Sequence, residues 1–394
     1  MSYRKFNADY LFTGQTILQN DEVLITDPDG KVIDIVKKDD AGDDVEVYKG
    51  LLSPGFINSH CHLELSHLKG AIPTQTGLVS FVQQVMSGRG AEEEKKITAM
   101  LSAEEEMYNT GTVAVGDICN TIDSLTIKQN SKIKWHNFIE VSGFTDAFAE
   151  KRFADAKQVV EKFSMLNTQY SIVPHAPYSV SKKLFELIND ASYNKLITIH
   201  NQESEEENKL YENKSGQFLD LYKNFGIDIS AFEPTSKTSL QSWFPYLNNL
   251  QSIISVHNTF ISQSDMELVS KPSSTVHRQL YFCLCPNANK YIENRIPPIE
   301  LLRKNDAIII LGTDSYASNW QLNLLEEIKT IQQETAYSIQ LQEILKWATI
   351  NGATALRMDD LLGSFEKNKQ PGVVLIDELK DLNTTPQSSA KRLL

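Results

Sequence analysis

From residue 51 onwards, short apolar segments alternate with longer amphipathic or polar stretches. The apolar segments are continuous rather than alternating, which is typical of strands covered on both faces of a parallel sheet. We predict strands at residues 51–58, 112–119, 134–141, 170–174, 196–200, 252–257, 279–285 and 307–312. Eight strands with helices between them predict an α/β fold of the (β/α)8 TIM-barrel type, since eight parallel strands close such a barrel.

Between the first two strands, the Glu-rich part of residues 78–107 is predicted to be a solvated helix. Helices are predicted in most of the other gaps, at residues 153–165, 182–191, 205–225, 264–269 and 322–333. A further helix is predicted at residues 341–356. Residues 1–50 contain short β-like runs and a strong turn signal at Asp27-Pro-Asp-Gly30. Residues 362–366 and 371–377 again have strand character, and we expect them to join the N-terminal strands in one small β unit. The last dozen residues are polar and are predicted to be poorly ordered.

The composition indicates which binding partners and which cell compartment to expect. The chain has 394 residues, 41% of them hydrophobic, and its formal net charge of −13 disfavours a nucleic-acid partner bound through its phosphates. The four cysteines form no pattern typical of a disulfide scaffold. The sequence has no run of the roughly 18 apolar residues that a membrane helix needs, and its N-terminus lacks a signal-peptide core. We therefore expect a cytoplasmic protein without a membrane partner.

The most informative polar residues are His60 and His62, which end the first apolar segment. Side chains at i and i+2 of a strand point to the same face, so both imidazoles project together while Cys61 points away. Neutral imidazole is a common ligand of zinc, iron and nickel, and this pair can form half of a metal site. The alternative is a pair of polar residues that face solvent.

Active sites of (β/α)8 barrels lie at the carboxyl ends of the strands. The polar residues at those ends are His60, His62, Asp117, Glu140, His175, His200, His257, Asn287 and Asp314. His200 is either a third nitrogen ligand or a buried core histidine. Asp314 ends the eighth strand, which neighbours the first in a closed barrel. It can complete a metal shell and accept a proton from the attacking water, or it can cap a helix.

Other candidates surround this group. Glu203 follows His200 by three residues and suits proton transfer to a leaving group, whereas the rest of the acidic run to Glu207 is predicted to be a solvated helix start. His257 is either a ligand or a residue that orients the attacking oxygen. His175 lies in a rigid loop between two prolines and suits substrate contact. The remaining histidines are predicted at the surface (His67, His277) or at the opposite end of a strand (His136).

Together these motifs resemble the amidohydrolase superfamily, in particular its cytosine-deaminase and chlorohydrolase-like branch. The resemblance covers essentially the whole chain. It rests on residues 54–62, His175-Ala-Pro-Tyr178, His200 with Glu203, Val256-His257, Cys285-Pro-Asn-x-Asn289, Gly312-Thr-Asp-Ser315 and residues 363–377. It implies a distorted (β/α)8 barrel at residues 54–358. It also implies a small β-sandwich built from residues 1–53 and from residues 359–394, which include the tail.

Position by position, the resemblance implies one divalent metal ion held by His60, His62, His200 and Asp314. Zinc is the first choice and Fe2+ the second. The fourth strand lacks the lysine that binuclear relatives carry, which favours a mononuclear site. Glu203, His257 and Asp314 match the catalytic positions, and His175 and Glu203 match substrate-binding positions. The resemblance also implies a homodimer as the oligomeric state.

The implied activity is hydrolysis of a carbon–nitrogen bond in a cyclic amidine, with an aminopurine nucleoside as the small-molecule substrate. Residues 62–70, 215–221 and 312–319 look most like aminofutalosine deaminases, which makes 6-amino-6-deoxyfutalosine the first substrate to test. The alternatives are an S-adenosylhomocysteine/adenosine deaminase, a guanine or cytosine deaminase, a chlorohydrolase or cyclic-amide hydrolase, and a non-catalytic scaffold. Residues 63–66, directly after His62, are predicted to discriminate between substrates.

Overall fold

The structure is a computed structural model that describes residues 3–166, 168–270 and 279–394. Its N-terminal segment forms short strands: β1 (Arg4–Asn7), β2 (Tyr10–Phe12), β3 (Ile17–Gln19), β4 (Glu22–Thr26), β5 (Val32–Lys37), β6 (Glu46–Val47) and β7 (Leu51–Ser53). The central strands are β8 (Phe56–Cys61), β9 (Thr112–Cys119), β10 (Lys134–Val141), β11 (Gln169–Pro174), β12 (Leu196–Asn201), β13 (Ser252–His257), β14 (Leu280–Leu284) and β15 (Ile308–Leu311). Two strands follow near the C-terminus: β16 (Val374–Ile376) and β17 (Ala390–Arg392).

The central strands form two parallel sheets, β8–β11 and β12–β15, each in sequence order. Hydrogen bonds join the sheets at both seams. The His200 amide donates to the His175 carbonyl at 2.9 Å, and the Asp314 amide donates to the His60 carbonyl at 3.1 Å. The strands therefore form the predicted distorted (β/α)8 barrel, and their carboxyl ends converge at one mouth.

The helices are α1 (Leu78–Gly88), α2 (Glu93–Asn109), α3 (Leu125–Asn130), α4 (Ala149–Phe163), α5 (Lys182–Ala191), α6 (Glu205–Asn213), α7 (Phe218–Asn224), α8 (Ser239–Trp243), α9 (Gln263–Val269), α10 (Pro286–Glu293), α11 (Ile299–Lys304), α12 (Leu324–Glu334), α13 (Leu341–Ala348) and α14 (Ile350–Ala355). Two predicted continuous helices are wrong, because 205–225 and 341–356 each divide in two. The helix predicted in the Glu-rich part of residues 78–107 is α2, and α1 precedes it. Between α6 and α7, Lys214 and Gly216 adopt positive φ values of 52° and 92°, which end the first helix.

The first predicted strand, residues 51–58, also divides. Its start, β7, pairs with β16, while β8 pairs with β9 in the barrel. Pro54-Gly55 separates the two. A Cβ on Gly55 would lie 2.7 Å from the Pro371 carbonyl and would overlap Val113, so only glycine allows this approach. The division lets the chain pass from the small sheet into the barrel.

The two ends of the chain share a second core. Sheets β5-β4-β1-β6 and β17-β16-β7-β2-β3 pack through buried side chains that include Phe6, Leu11, Leu24 and Leu52. Residues 362–366 do not form the predicted strand, although Phe365 joins this core. The prediction of a disordered tail is wrong, because β17 pairs with β16 and the Arg392 guanidinium donates to backbone carbonyls beside the barrel.

The division into domains at residues 53/54 and 358/359 stays a prediction. None of the helices in the described parts of the chain is long and apolar enough to cross a membrane.

Candidate active site

The four predicted ligands meet at the mouth of the barrel and are called the metal group below: His60, His62, His200 and Asp314. The Nε2 atom of His62 lies 3.2 Å from that of His60 and 3.1 Å from that of His200. The Oδ1 atom of Asp314 lies 3.6 Å from Nε2 of His60 and 3.4 Å from Nε2 of His62. All four residues are buried. Three nitrogen atoms and one carboxylate oxygen therefore surround a single point.

This donor set fits a divalent metal ion. Two nitrogen ligands, each about 2.0–2.1 Å from a tetrahedral zinc ion, lie roughly 3.3 Å apart, close to the observed separations. Burial lowers the pKa of His62 to about 4 and that of His200 well below its usual value, which keeps both rings neutral as ligands. Burial opposes ionisation of Asp314. The hydrogen bond with His60 and the electrostatic attraction of the nearby His62 and His257 imidazoles outweigh it, and the pKa of Asp314 is lowered.

The backbone presents these ligands through specific local contacts. His60 is the last residue but one of β8, and His62 follows directly after the strand. Asp314 lies three residues past the end of β15 and has a φ of +56°. Its Oδ2 accepts a hydrogen bond from Ser318 Oγ at 2.5 Å. This contact leaves Oδ1 free to face the histidines. Ser318 was missed from the sequence, although its position four residues after Asp314 was a signal.

The turn that carries His62 is anchored by a buried ion pair. Asp117 was predicted at the mouth, but it lies within β9, where its Oδ1 accepts from the Leu63 amide at 2.8 Å. Its Oδ2 lies 2.5 Å from Lys128 Nζ, and both side chains are fully buried. Asp117 therefore positions the backbone directly after His62 and is not itself part of the metal group.

Replacing Lys128 by methionine would leave the Asp117 carboxylate buried without its cation. We expect the free energy of unfolding to fall by about 3–5 kcal/mol, measured by urea denaturation. The matched control is Lys151→Met, which breaks an ion pair with Asp155 whose side chains are 73% and 49% exposed. That change is expected to cost about 0.5 kcal/mol or less. Equal losses in the two variants would contradict the role of the buried pair.

Glu203 and His257, both predicted to be catalytic, lie side by side next to the four predicted ligands. Their Oε2 and Nε2 atoms are 3.6 Å apart, and both residues are buried. Burial, together with the negative charge of Asp314, raises the pKa of Glu203 well above its usual value. Burial lowers the pKa of His257 to about 3, and Asn289 Nδ2 lies 3.1 Å from its Nδ1. Burial therefore favours the protonated form of Glu203, and His257 is uncharged at neutral pH.

The predicted solvated start of α6 needs correction. Glu207 is fully buried and accepts hydrogen bonds from the amides of Gln202 and Glu203 and from the hydroxyl of Ser239. Its carboxylate holds the loop that carries Glu203. The sequence of a glutamate run does not show which glutamate is buried. That depends on how the helix is rotated about its axis and on the conformation of the loop before it.

A cavity of about 390 Å³ opens onto the metal group. His175 and Glu203, for which substrate contact is predicted, line it, and the Nδ1 atom of His175 lies 2.6 Å from Ser179 Oγ. The structure adds residues that were not singled out as substrate-binding: Arg89, Asn120, Glu140 and the apolar side chains Leu78, Phe81, Val82 and Val85 of α1. These residues come from separate segments of the chain, so the sequence gave little indication that they line one cavity.

Residues 63–66 reach the cavity only in part. Leu65 lines it, whereas the Glu64 carboxylate accepts from the amides of Asn120 and Thr121 and so positions that loop. His67, predicted at the surface, is buried with its Nε2 atom 3.2 Å from the Gly88 carbonyl oxygen. His136 is buried beside Gln169, near the start of β10 and outside this cluster. His277 lies outside the described residues.

A second group, Glu140, His175 and His200, also has three candidate ligand atoms within 4.8 Å of one another. It is a poor metal site. The His200 Nδ1 atom donates to the His175 carbonyl at 2.8 Å and so carries the proton that a ligand atom must lack. This hydrogen bond instead directs Nε2 of His200 towards His60 and His62.

Comparison with known proteins agrees with this architecture. The sequence profile of the amidohydrolase family matches residues 51–392. A 5'-deoxyadenosine deaminase of Methanobrevibacter smithii is 26% identical over 403 residues, which cover 96% of this chain and 82% of that protein. The crystal structure of Helicobacter pylori aminofutalosine deaminase with methylthio-coformycin has a TM-score of 0.81 and 21% identity, covering 99% of this chain and 100% of that one.

The crystal structure of an adenosine deaminase from Xanthomonas campestris with bound zinc has a TM-score of 0.74 and 21% identity, covering 97% of this chain and 86% of that one. These similarities show the fold, and the profile extends over most of the sequence. The protein therefore belongs to the amidohydrolase family.

Proposed function

We propose that this protein is a metal-dependent hydrolase that removes the amino group of an aminopurine nucleoside as ammonia. The observation that carries the proposal is the shared cavity. It is lined by His62, His200 and Asp314, which form one candidate metal group with His60, and by Glu203 and His257. The deaminase names of the relatives in sequence and fold support the same reaction class.

The side chains suit the proton transfers of hydrolytic deamination. A divalent cation in the four-residue group supplies Lewis-acid activation of water. Asp314, with its lowered pKa, is the proton acceptor, and Glu203, with its raised pKa, is the donor to a ring nitrogen of the substrate. The buried Nε2 atom of His257 lacks a hydrogen-bond partner in the described structure and is available to orient the attacking oxygen. The amino group takes up the proton held by Asp314, the C–N bond breaks and ammonia leaves, while the new hydroxyl group gives its proton back to Glu203 and becomes the carbonyl of the product.

We propose one zinc ion per chain, with Fe2+ as the alternative. The zinc-containing adenosine deaminase fold neighbour supports zinc, although three nitrogen atoms and one carboxylate also suit iron. Elemental analysis of the purified protein is expected to give about one equivalent of zinc. Removal with a chelator should abolish activity, and addition of zinc should restore it. Full activity in a metal-free, folded protein would refute the proposal.

The first substrate that we propose is 6-amino-6-deoxyfutalosine. The cavity continues past the metal group along the apolar face of α1 and is also lined by Arg89 and Arg152. Such a wall suits a nucleoside with an apolar substituent that ends in a carboxylate. The aminofutalosine deaminase fold neighbour supports this choice, and the 5'-deoxyadenosine deaminase relative supports a smaller substituent.

An ammonia-release assay with a panel of substrates tests this assignment. We expect the highest kcat/KM with 6-amino-6-deoxyfutalosine, compared with 5'-deoxyadenosine, adenosine, S-adenosylhomocysteine, guanine and cytosine. A preference for another nucleoside would change the proposed substrate but would still support a nucleoside deaminase. Activity on free bases or on chlorinated rings alone would refute a nucleoside deaminase.

We also propose a homodimer in the cytoplasm, as the family resemblance implies. Sedimentation of the purified protein at twice the chain mass of 44.5 kDa is the expected result. A monomer at micromolar concentration would refute the dimer, and cell fractionation tests the location.

A further inference from the structure

The motif Cys285-Pro-Asn-x-Asn289 has no role in the proposed reaction, although its last residue is fully buried. Helix α10 begins two residues after the end of β14, and the Asn289 amide donates to the Cys285 carbonyl at 3.0 Å. Asn289 therefore lies one turn into the helix. Its side chain reaches the end of the neighbouring strand β13, where His257 lies.

The side-chain amide of Asn289 contacts His257 directly. Its Nδ2 atom lies 3.1 Å from Nδ1 of His257, and among the described residues its Oδ1 atom has no hydrogen-bond partner. The amide nitrogen of asparagine is a donor only. Nδ1 of His257 is therefore the acceptor and carries no proton. Since a neutral imidazole keeps one N–H group, the proton of His257 lies on Nε2.

The surroundings of Nε2 agree with a proton on this atom. Oε2 of Glu203 lies 3.6 Å from it, and a carboxylate oxygen of Asp314 lies within 4.8 Å of a nitrogen of the ring. An N–H group is attracted to such oxygen atoms, whereas a lone pair on Nε2 would be repelled by theirs. The proton is thus directed to the side of the metal group, where the attacking oxygen is expected.

The backbone fixes the place of the His257 ring. His257 and Asn258 have φ values of +71° and +58°, in the left-handed region that residues other than glycine rarely adopt. The Asn258 amide donates to the Asn201 carbonyl at 2.9 Å, and its side-chain Oδ1 accepts from Ser255 Oγ at 2.6 Å. Backbone strain of this kind is concentrated at functional sites. The strand end therefore sets the position of the ring, and Asn289 sets which of its nitrogen atoms is protonated.

We propose that Asn289 is a positioning residue that holds the proton of His257 on Nε2, an inference that rests on the proposed hydrolytic deamination. In this tautomer His257 donates a hydrogen bond to the attacking oxygen and cannot take its proton through Nε2. Asp314 then remains the proton acceptor. A carboxylate at position 289 would instead accept from Nδ1–H and would draw the proton away from the reacting side of the ring.

Nitrogen NMR of the zinc-loaded enzyme with isotope-labelled histidine side chains tests the tautomer. The spectrum distinguishes protonated from unprotonated ring nitrogen atoms, and a His257→Gln variant identifies the signals of His257. Wild-type His257 is expected to be protonated on Nε2 and unprotonated on Nδ1. In Asn289→Asp the proton should move to Nδ1.

The same variant is expected to react more slowly. Without the Nε2 proton, kcat for ammonia release should fall by roughly tenfold to hundredfold, the range for a hydrogen bond to a charged group. KM should stay near the wild-type value, because Asn289 is not among the described residues that line the cavity. The matched control is Asn294→Asp at the exposed end of α10, where a φ of +52° suits aspartate. It should leave the tautomer and kcat unchanged.

The outcomes separate this inference from the proposed function. If no nucleoside releases ammonia, the proposed function fails, and the spectrum still shows whether Asn289 sets the tautomer. A proton on Nδ1 of wild-type His257 overturns the inference, whether or not any variant folds. It is also overturned if Asn289→Asp leaves Nδ1 unprotonated, or if the proton leaves Nε2 and kcat keeps its wild-type value.

Discussion

Replacing Asp314 by asparagine is expected to remove almost all activity. The change removes the anion 3.4 Å from His62 and 3.6 Å from His60, and an amide cannot accept the proton from water. Loss of the proton acceptor alone should lower kcat by about 10²- to 10⁴-fold, and weaker metal binding should add to this. Ammonia release at saturating substrate and elemental analysis of the same sample measure the two effects.

The matched control is Asp306→Asn, the same substitution before the opposite end of β15. Asp306 is exposed and has a φ of +52°, which asparagine tolerates. This variant should keep wild-type activity and metal content. If Asp314→Asn behaves like Asp306→Asn, Asp314 is neither a ligand nor a proton acceptor.

Glu203→Gln is expected to separate catalysis from metal binding. Glutamine keeps the shape of the side chain but cannot deliver a proton, so kcat should fall by about 10²- to 10⁴-fold. The metal content should stay at the wild-type value, because Glu203 lies outside the group of His60, His62, His200 and Asp314. Steady-state kinetics and metal analysis together distinguish this variant from a ligand variant.

Glu205→Gln is the control from the same acidic run. The Glu205 side chain is 62% exposed and pairs with Lys209 in the first turns of α6, and it does not line the cavity. We expect unchanged kcat and KM. A Glu203→Gln variant with wild-type kcat would assign the proton donor to another group.

The hydrophobic pattern of the sequence was sufficient to predict the barrel and the position of its candidate site. Strands β9, β10 and β13 begin and end at the predicted residues, since continuous apolar runs leave few alternatives. The strand prediction failed where a contact with a distant part of the chain interrupts an apolar run. Pro54-Gly55 divides the first run because of a close approach to Pro371, which lies more than 300 residues further along the chain. The polar tail is ordered because β16 and the barrel backbone supply its partners.

The sequence by itself determined which residues reach the mouth of the barrel. The two-residue repeat of a strand places His60 and His62 on one side, and closure of eight strands brings Asp314 beside them. Only the tertiary structure decided how each carboxylate is used. The histidines favour the ionised form of Asp314, and burial favours the protonated form of Glu203. Glu207 turns inward as an anchor, and Glu140 keeps an oxygen without a hydrogen-bond partner among the described residues. The physical reason is that the pKa and hydrogen bonding of a buried carboxyl group depend on neighbours that are distant in sequence.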